Sequence, residues 1–361
     1  MPYRRIARGL LRLGWYRFAF RIVYGRWPNG DEFRTLAENA ALQQAATFPA
    51  IFRSVLSLCD EKIYLTPFTV RLTANDVRMV EYAGIKVAVD VAEPVISYSI
   101  ERASYERHMV AFFERFLRPG MTMIDIGANI GLFSLLGAKL VGESGRVYSI
   151  EPRGENARLL LYSATINNFR NINLLPVAVG DSVGYTIYQT HIGANGALMT
   201  KPREDADYNG QAILHPTAQI VPMARLDTLV SGPIDVIKLD IEGAEGMALR
   251  GAGDLIRTHR PIITSEASVE MLDRVSNMPL RDYLLITRDL GYRQFVISRH
   301  DGSLEEVGDL DQFLAAWPDP CHIEDFVFVP AEKMAALAAH NLTSASPLKE
   351  PTAVGLVPSP Q

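Results

Sequence analysis

Three acidic residues occupy positions at which acids can hold a ligand. Asp125, Glu151 and Asp181 each end an apolar run typical of a buried β-strand, written MIDI, YSIE and VAVGD. The carboxyl ends of parallel strands lie side by side, so we expect these side chains to line one crevice. An unpartnered charge there is costly, which favours a bound ligand. Glu151 follows Gly127 by 24 residues, a spacing that suits hydrogen bonds from ribose hydroxyls.

The stretch MIDIGANIG, residues 123–131, predicts a buried strand, a tight turn and the start of a helix. A dinucleotide fingerprint, G-x-G-x-x-G, would hold a pyrophosphate, but its three positions are Gly127, Asn129 and Leu132. A carboxylate before the turn and an asparagine within it suit a positively charged ligand that has an amino acid end and no phosphate. S-adenosylmethionine is such a ligand. NAD or FAD is the weaker alternative. A further alternative is a strand-to-helix turn that binds no ligand and needs glycine only for its backbone conformation.

A second acidic cluster follows a later apolar run. The stretch LDIEGAE, residues 239–245, places Asp240 at the end of a strand and Glu242 and Glu245 in the turn and first helical turn beyond it. Glu245 can simply interact with the helix dipole. Glu266 ends the run PIITSE and adds a carboxylate at the same edge of the sheet.

These acids include candidates for a catalytic base. A reaction in which a hydroxyl acts as the nucleophile is helped by a group that takes the hydroxyl proton, and the candidates here are Asp240, Glu242, Glu266 and His191. Asp240 is preferred because it ends a strand beside the crevice, and His191, in a polar loop, is the second choice. The three carboxylates could instead hold a Mg²⁺ that acidifies the hydroxyl, but we do not favour a metal.

The elements that must position these residues alternate between strands and helices, which predicts an α/β fold with a parallel sheet. A helix over residues 104–117 leads into the first strand, and the glycine turn follows that strand. The last two strands, YRQFVIS and EDFVFVP, have no evident helix between them and could pair as an antiparallel hairpin. Residues 191–216 form a polar stretch of little periodicity, which is typical of a functional or mobile loop.

We expect four regions along the chain: a basic amphipathic helix over 1–30, an accessory α+β segment over 31–103 with β-like runs from 62 to 100, an α/β domain over 104–330, and a short helix with a disordered tail over 331–361. In the first region, arginines at helical spacing alternate with aromatic and aliphatic residues. This helix either packs its apolar face on the domain or lies on a membrane surface. Its arginines exclude a signal peptide and a transmembrane helix.

The composition limits the class of protein. The chain has 361 residues, of which 48% are hydrophobic, so it can bury a large core. A net charge of -5 gives no overall attraction to nucleic acid. Cys59 and Cys321 lie far apart and in no metal-ligand spacing, which indicates neither a disulfide framework nor a zinc site. We expect a cytoplasmic protein, with peripheral contact to the inner membrane face as an alternative.

Taken together, the segments DIGANIG, YSIEP, VAVGD, IKLDIEGAE and RPIITSE resemble the FkbM-like family of S-adenosylmethionine-dependent methyltransferases over about residues 104–270. The resemblance implies a Rossmann-like class I methyltransferase fold with a mostly parallel seven-stranded sheet whose last strand is antiparallel. It also implies O-methylation of sugars, polyketides or other small natural products.

The resemblance also assigns roles to individual residues. The turn around the amino acid part and sulfur of the cofactor is formed by Asp125, Gly127, Ala128, Asn129 and Gly131. Glu151, followed by Pro152, is the ribose acceptor, and Asp181 is a candidate contact for the adenine amino group. Glu106 lies where the family often has an acid before its first strand. Asp240 falls where the methyl group and the acceptor meet.

The function expected from the sequence is methyl transfer from S-adenosylmethionine to a hydroxyl of a sugar, glycolipid or secondary metabolite. An N-methyltransferase acting on an amine or peptide is the neighbouring alternative, because an amine needs less assistance from a base. The Asn/Asp-Pro-Pro-Tyr/Phe stretch associated with methylation of nucleic acid bases does not occur. The alternative of another class is a non-catalytic, membrane-associated protein that binds S-adenosylmethionine.

Overall fold

The computed structural model describes residues 77–90, 93, 96–190, 196–199, 218–300 and 302–335. The chain divides into two units, residues 1–76 with 90–94 and residues 77–89 with 95–361. Almost all described residues belong to the second unit. The predicted helices before residue 61, His191 and the predicted tail beyond residue 335 lie outside the described residues.

Strands and helices alternate through most of the second unit, as predicted. The strands are β1 (Val77–Tyr82), β2 (Ile85–Asp90), β3 (Thr122–Ile126), β4 (Arg146–Ile150), β5 (Ile172–Leu175), β6 (Ala178–Val179), β7 (Gly184–Thr190), β8 (Gly196–Met199), β9 (Ala218–Ala224), β10 (Val236–Leu239), β11 (Ile262–Ser268), β12 (Tyr292–Ile297), β13 (Leu304–Glu306) and β14 (Ile323–Pro330). The helices are α1 (Ile96–Glu101), α2 (Arg107–Phe116), α3 (Leu132–Val141), α4 (Gly154–Ile166), α5 (Leu226–Leu229), α6 (Glu245–Gly251), α7 (Gly253–His259), α8 (Val269–Ser276), α9 (Leu280–Arg288) and α10 (Leu310–Ala315), and a 3₁₀ turn, Ala331–Lys333, follows β14.

The main sheet has the strand order β13-β12-β14-β11-β10-β3-β4-β5. The five strands from β11 to β5 are parallel, and β14 lies antiparallel between β11 and β12. This arrangement is the Rossmann-like class I methyltransferase fold, and the prediction of an antiparallel last strand is confirmed. The sheet has eight strands rather than seven, because the short strand β13 pairs with the edge of β12.

The central strands β3 and β10 carry the residues that organise the site. Both strands are buried, which is typical of parallel strands covered by helices on both faces. The buried polar residues of these two strands are Asp125 and Lys238, which are cross-strand partners in the register. The fold therefore places an acidic and a basic side chain next to each other at the centre of the sheet.

A second sheet, with the order β6-β9-β7-β8, was not predicted as a unit. The run NINLLPVAVGD, expected to be one strand, divides between the two sheets at Pro176: β5 belongs to the main sheet and β6 to the second. Asp181 therefore does not end a strand of the main sheet. This corrects its predicted position beside Asp125 and Glu151.

Other differences from the sequence predictions concern short elements. The run expected to be β-like through residue 100 ends in helix α1, where Ile96 and Ile100, four residues apart, are both buried on one face. Helix α8 was not predicted, and α10 lies in the connection to β14 that showed no evident helix. No helix within the described ranges is long and apolar enough to cross a membrane.

The hairpin of β1 and β2 packs on the α/β domain. The backbone N–H of Lys86 donates to Oδ1 of Asn167 at 2.9 Å, and that of Ala88 donates to Oγ of Ser163 at 2.8 Å. Both acceptors lie on or just beyond α4. The boundary predicted at residues 103 and 104 therefore falls inside this unit, which begins at residue 77.

Candidate active site

A cavity of about 350 Å³ opens at the carboxyl ends of β3, β4, β10 and β11. Its polar wall consists of Tyr105, Glu106, Asn129, Glu151, Tyr188, Asp240, Glu242 and Glu266, and the rest is apolar or backbone, including Ile96, Gly127, Pro152, Val177, Val179, Leu198 and Ile323. No Lys, Arg or His side chain is among the described residues that line it. The cavity is thus rich in carboxylates and suits a ligand that carries positive charge.

The glycine turn forms one wall of the cavity. Gly127 has a φ of 80°, and a Cβ built on it would lie 1.8 Å from the carbonyl oxygen of Asp240. The backbone N–H groups of Gly127 and Ala128 both donate to the carbonyl of Ile150, at 3.0 Å each. Gly131, with a φ of 96°, begins α3 where a Cβ would lie 2.5 Å from a leucine of α4. The sequence needs glycine at both positions for conformation and for space.

Glu151 is fixed by the backbone around it. Its Oε2 accepts the N–H of Asn129 at 2.9 Å, and its Oε1 accepts the N–H of Arg153 at 2.8 Å. Burial raises the pKa of Glu151 to about 7, while these N–H groups and the side chain of Asn156 oppose that rise. Because both carboxylate oxygens are held in place on the cavity wall, the residue presents a rigid acceptor to a ligand.

Lys238 joins the two acidic motifs from beneath the cavity. Its Nζ donates to Oδ2 of Asp240 at 2.8 Å and lies 4.0 Å from Oδ1 of Asp125, whose Oδ2 accepts the hydroxyl of Ser134 at 2.6 Å. The ammonium also stands 4.8 Å from the ring centre of Phe133. Burial alone would lower the pKa of Lys238, but Asp240 and Asp125 raise it above its ordinary value. The lysine therefore stays charged although its side chain is only 4% exposed.

The remaining carboxyl groups of the wall crowd one another. Burial, followed by the charge of Asp240, raises the pKa of Glu106 to about 8 and that of Glu242 to about 7. The same two causes raise the pKa of Glu266 well above its ordinary value. Glu106 and Glu242 also have left-handed backbones, with φ of 39° and 54°. Such strain in residues other than glycine costs about 1–3 kcal/mol and is common at functional sites.

A buried ion pair borders this acidic wall. Asp325 in β14 accepts Nε2 of His108 at 2.8 Å and the guanidinium of Arg299 at 3.0 Å. Burial would raise the pKa of Asp325, but these two partners hold it below its ordinary value. Arg299 also lies 3.7 Å from Glu266, so it is shared between the two carboxylates.

The structure brings most of the sequence-predicted residues together. Those that line the cavity are Glu106, Gly127, Asn129, Glu151, Pro152, Asp240, Glu242 and Glu266. Asp125, Ala128 and Gly131 support the turn without lining the cavity. Asp181 does not line it either: its carboxylate accepts two hydrogen bonds from Arg250, at 3.1 and 2.9 Å. His191 lies outside the described residues.

The sequence did not predict the role of Lys238, and it left a Mg²⁺ site as an alternative. Lys238 was overlooked, although a lysine inside the apolar run VIKL and two residues before Asp240 is an available signal, because alternate strand residues share a face. Across the described ranges, no group of three or more His, Cys, Asp or Glu side chains is arranged to hold a metal ion. Asp240, Glu242 and Glu266, the alternative Mg²⁺ site of the sequence analysis, do not form such a group.

Comparison with known proteins gives one family match and several distant structural similarities. No curated protein matches the chain. The methyltransferase FkbM from Methylobacillus flagellatus KT is 20% identical, with 61% of this chain and 50% of that chain covered and a TM-score of 0.35. A SAM-dependent methyltransferase from Aquifex aeolicus is 14% identical, with 61% and 88% covered and a TM-score of 0.33. The chain spans half the length of the first of these proteins.

The family match covers the glycine turn and the strand ends that carry Glu151, Asp240 and Glu266. The family profile described as the methyltransferase FkbM domain matches residues 125–294. This range begins at the acid of the glycine turn and includes the DIEGAE motif and the strand that carries Glu266. Residues 125–294 are therefore similar to the methyltransferase FkbM domain, the family that the sequence motifs resemble.

Proposed function

We propose that the protein transfers a methyl group from S-adenosylmethionine to a hydroxyl of a small molecule: a sugar, a glycolipid or another natural product. The observation that carries the proposal is the wall of the cavity. It combines a backbone-fixed Glu151 beside the glycine turn with Asp240 and Glu242 on the neighbouring strand end, and no cationic side chain among the described lining residues.

The residues of the cavity fit this cofactor in size and charge. A volume of about 350 Å³ lies within the range of small-molecule sites. Glu151 would accept hydrogen bonds from the ribose hydroxyls, and Val177, Val179 and Leu198 offer an apolar surface for the adenine ring. The carboxylate of Asp240 would complement the positive charge of the cofactor, and the carboxyl group of Glu106 lies on the same wall. Bound there, S-adenosylmethionine would supply an electrophilic methyl group.

A hydroxyl acceptor is favoured because the wall offers several groups able to take its proton. A hydroxyl is a poor nucleophile, and a positioned base typically accelerates its reaction by about 10²–10⁴-fold. Asp240 is the base favoured by sequence reasoning, but its Oδ2 is occupied by Lys238. No hydrogen-bond donor in the described ranges reaches the carboxylate of Glu242, whose pKa of about 7 suits proton uptake near neutral pH. Glu242 is thus the better supported base, with Glu266 beside it.

The chain's own contribution is alignment and proton transfer. The glycine turn and Glu151 hold one end of the cavity rigid, which favours an in-line arrangement of the reacting groups. The apolar residues Ile96 and Ile323 also line the cavity and would limit access of water. The carboxylate of Glu242 accepts the hydroxyl proton as the acceptor oxygen becomes nucleophilic.

Binding and transfer measured in sequence test the proposal. Titration calorimetry with S-adenosylmethionine comes first, followed by transfer of a labelled methyl group to a panel of sugars, glycolipids, other alcohols, amines and peptides. We expect binding and label in hydroxyl compounds, with Glu242→Gln slowed at least as much as Asp240→Asn. Label only in amines would replace the proposal with N-methylation. Binding without any transfer would favour the non-catalytic alternative.

The glycolipid option rests on residues 1–30, which lie outside the described residues. Their interleaved arginine and aromatic residues suit contact with an anionic membrane surface. Co-sedimentation with anionic vesicles is expected for the full chain and not for a chain that lacks residues 1–30. Equal and negligible binding of both would remove lipid-linked acceptors from the proposal.

A further inference from the structure

Lys238 is the cation around which the acidic wall is arranged. It lies in β10 directly beside Asp125 in the register, and its ammonium reaches Asp240 on the same face of the strand. Burial raises the pKa of Glu106 and Glu242, and the charge of Lys238 opposes that rise in both, although the two acids lie on different segments of the chain. A single buried ammonium thus lies close both to the acid before the glycine turn and to an acid of the cavity wall.

A buried ammonium is retained only when its partners offset the cost of removing it from water. For Lys238 the close partner is Asp240 at 2.8 Å, and Asp125 is farther away at 4.0 Å. The side chain of Asp240 is 22% exposed and lines the cavity, whereas that of Lys238 is 4% exposed and does not. The pair therefore presents the carboxylate to the cavity and holds the lysine behind it.

We propose that Lys238 is a positioning residue: its ammonium holds Asp240 as a fixed anion on the cavity wall, so that Asp240 attracts the positive charge of the cofactor and does not take the acceptor's proton. The inference rests on the proposed function, because it assumes a sulfonium cofactor in this cavity. The inference also assigns different roles to two neighbouring acids. Asp240 attracts the positive charge of the cofactor, and Glu242 takes the proton of the acceptor.

Lys238 is the described donor to the carboxylate of Asp240, with 2.8 Å between Nζ and Oδ2. Loss of the ammonium would remove this hydrogen bond and the adjacent positive charge. The carboxylate of Asp240 would then no longer be held at the cavity wall, where it faces the positive charge of the cofactor.

The test compares two ligands that differ in charge at sulfur. S-adenosylmethionine carries a sulfonium, and S-adenosylhomocysteine carries a neutral thioether. The affinity for S-adenosylmethionine divided by that for S-adenosylhomocysteine therefore measures how strongly the wall attracts positive charge. At about pH 6.5 we expect Lys238→Met and Asp240→Asn each to lower this ratio by roughly tenfold or more. The double variant should lower it no further than Asp240→Asn alone, and Lys238→Arg should preserve most of it.

The conservative variant separates this role from a merely structural one. Lys238→Arg restores a cation beside Asp240 and should restore the ratio, whereas Lys238→Met should not. Lys139→Met, which removes an exposed lysine on α3, should leave the ratio unchanged. If Lys238→Met does not fold, the double variant, in which both charges are absent, is compared with Asp240→Asn.

Three results would overturn the inference. One is an unchanged ratio in Lys238→Met, and another is an equal loss of both affinities, which would indicate only structural damage. The third is a further loss in the double variant beyond that of Asp240→Asn. If the unaltered protein bound neither compound, the proposed function would fail first and the inference with it, an outcome that is distinct from these three.

Discussion

The backbone of Gly127 rests against the carbonyl group of Asp240, so closely that a Cβ on Gly127 would lie 1.8 Å from that oxygen. The two residues are 113 positions apart in the chain. They meet because β3 and β10 are parallel neighbours and both chains turn at the same level of the sheet. The glycine turn and the DIEGAE motif therefore form one unit, and the cavity wall depends on their contact.

Replacement of Gly127 by alanine should damage both stability and cofactor binding. The positive φ of 80° costs a side chain about 1–2 kcal/mol, and the overlap with Asp240 adds about 1–3 kcal/mol. Urea denaturation and calorimetry with S-adenosylhomocysteine would measure the two losses. Gly154→Ala is the matched control, because a Cβ there meets no atom within 4 Å. Equal behaviour of the two variants would contradict the role assigned to the contact.

Glu151→Gln should weaken recognition of the ribose in particular. An amide cannot accept from the backbone N–H groups of both Asn129 and Arg153, so one N–H would face an NH₂ group and the side chain would shift. We expect affinity for S-adenosylhomocysteine to fall by about 1.5–3 kcal/mol. Affinity for its 2′-deoxy analogue should fall less. The control is Glu143→Gln, an exposed acid beyond α3. Equal losses for both ligands would argue against a ribose contact.

The parts of the site that the sequence predicted are those with a local signal. A strand that ends in an acid and turns through glycine, as at Asp125 and Gly127, is visible within nine residues. Glu151 and Asp240 end apolar runs in the same way. Such residues come together because a parallel sheet brings the carboxyl ends of its strands to one edge, whatever their separation in the chain.

The parts that were missed depend on pairing between distant segments. Asp181 was misplaced because Pro176, which lacks an N–H, interrupts the run after β5, and the chain then joins a second sheet. The proximity of Lys238 to Asp125 is identified only by the register of β10 on β3, although its position two residues before Asp240 is a local signal. The hydrogen bond between His108 and Asp325 joins α2 to β14 across 217 positions, and no local pattern indicates it.

The ligand-free protein should lose stability as pH rises through neutrality. Burial raises the pKa of Glu151, Glu242 and Glu245 to about 7 and that of Glu106 to about 8, from an ordinary value of 4.5. The folded protein therefore keeps protons that the unfolded chain releases. This stabilising contribution is complete below about pH 4.5 and is lost as pH rises through about 7–8.

We expect the free energy of unfolding to fall between about pH 5 and 8.5, on the order of a few kcal/mol. Urea denaturation at fixed ionic strength would measure it. Glu106→Gln removes one of the raised groups and should flatten the dependence, whereas Glu143→Gln should not. A free energy that rises over this interval would show that these carboxyl groups are not protonated in the folded protein.

Glu242→Gly should make the protein more stable and less active. Glu242 holds a left-handed backbone with a φ of 54°, which glycine adopts without the steric cost, and the change also removes a crowded carboxyl group. We expect a gain of about 1 kcal/mol in the free energy of unfolding. Methyl transfer should fall by about 10²–10⁴-fold, the usual contribution of a positioned base.

Glu242→Gln keeps the strained backbone and should lose activity with a smaller gain in stability. Ala103→Gly, at a φ of 51° and away from the cavity, should gain stability at full activity. Full turnover in Glu242→Gly would assign the base to another carboxylate of the wall, with Glu266 the next to test.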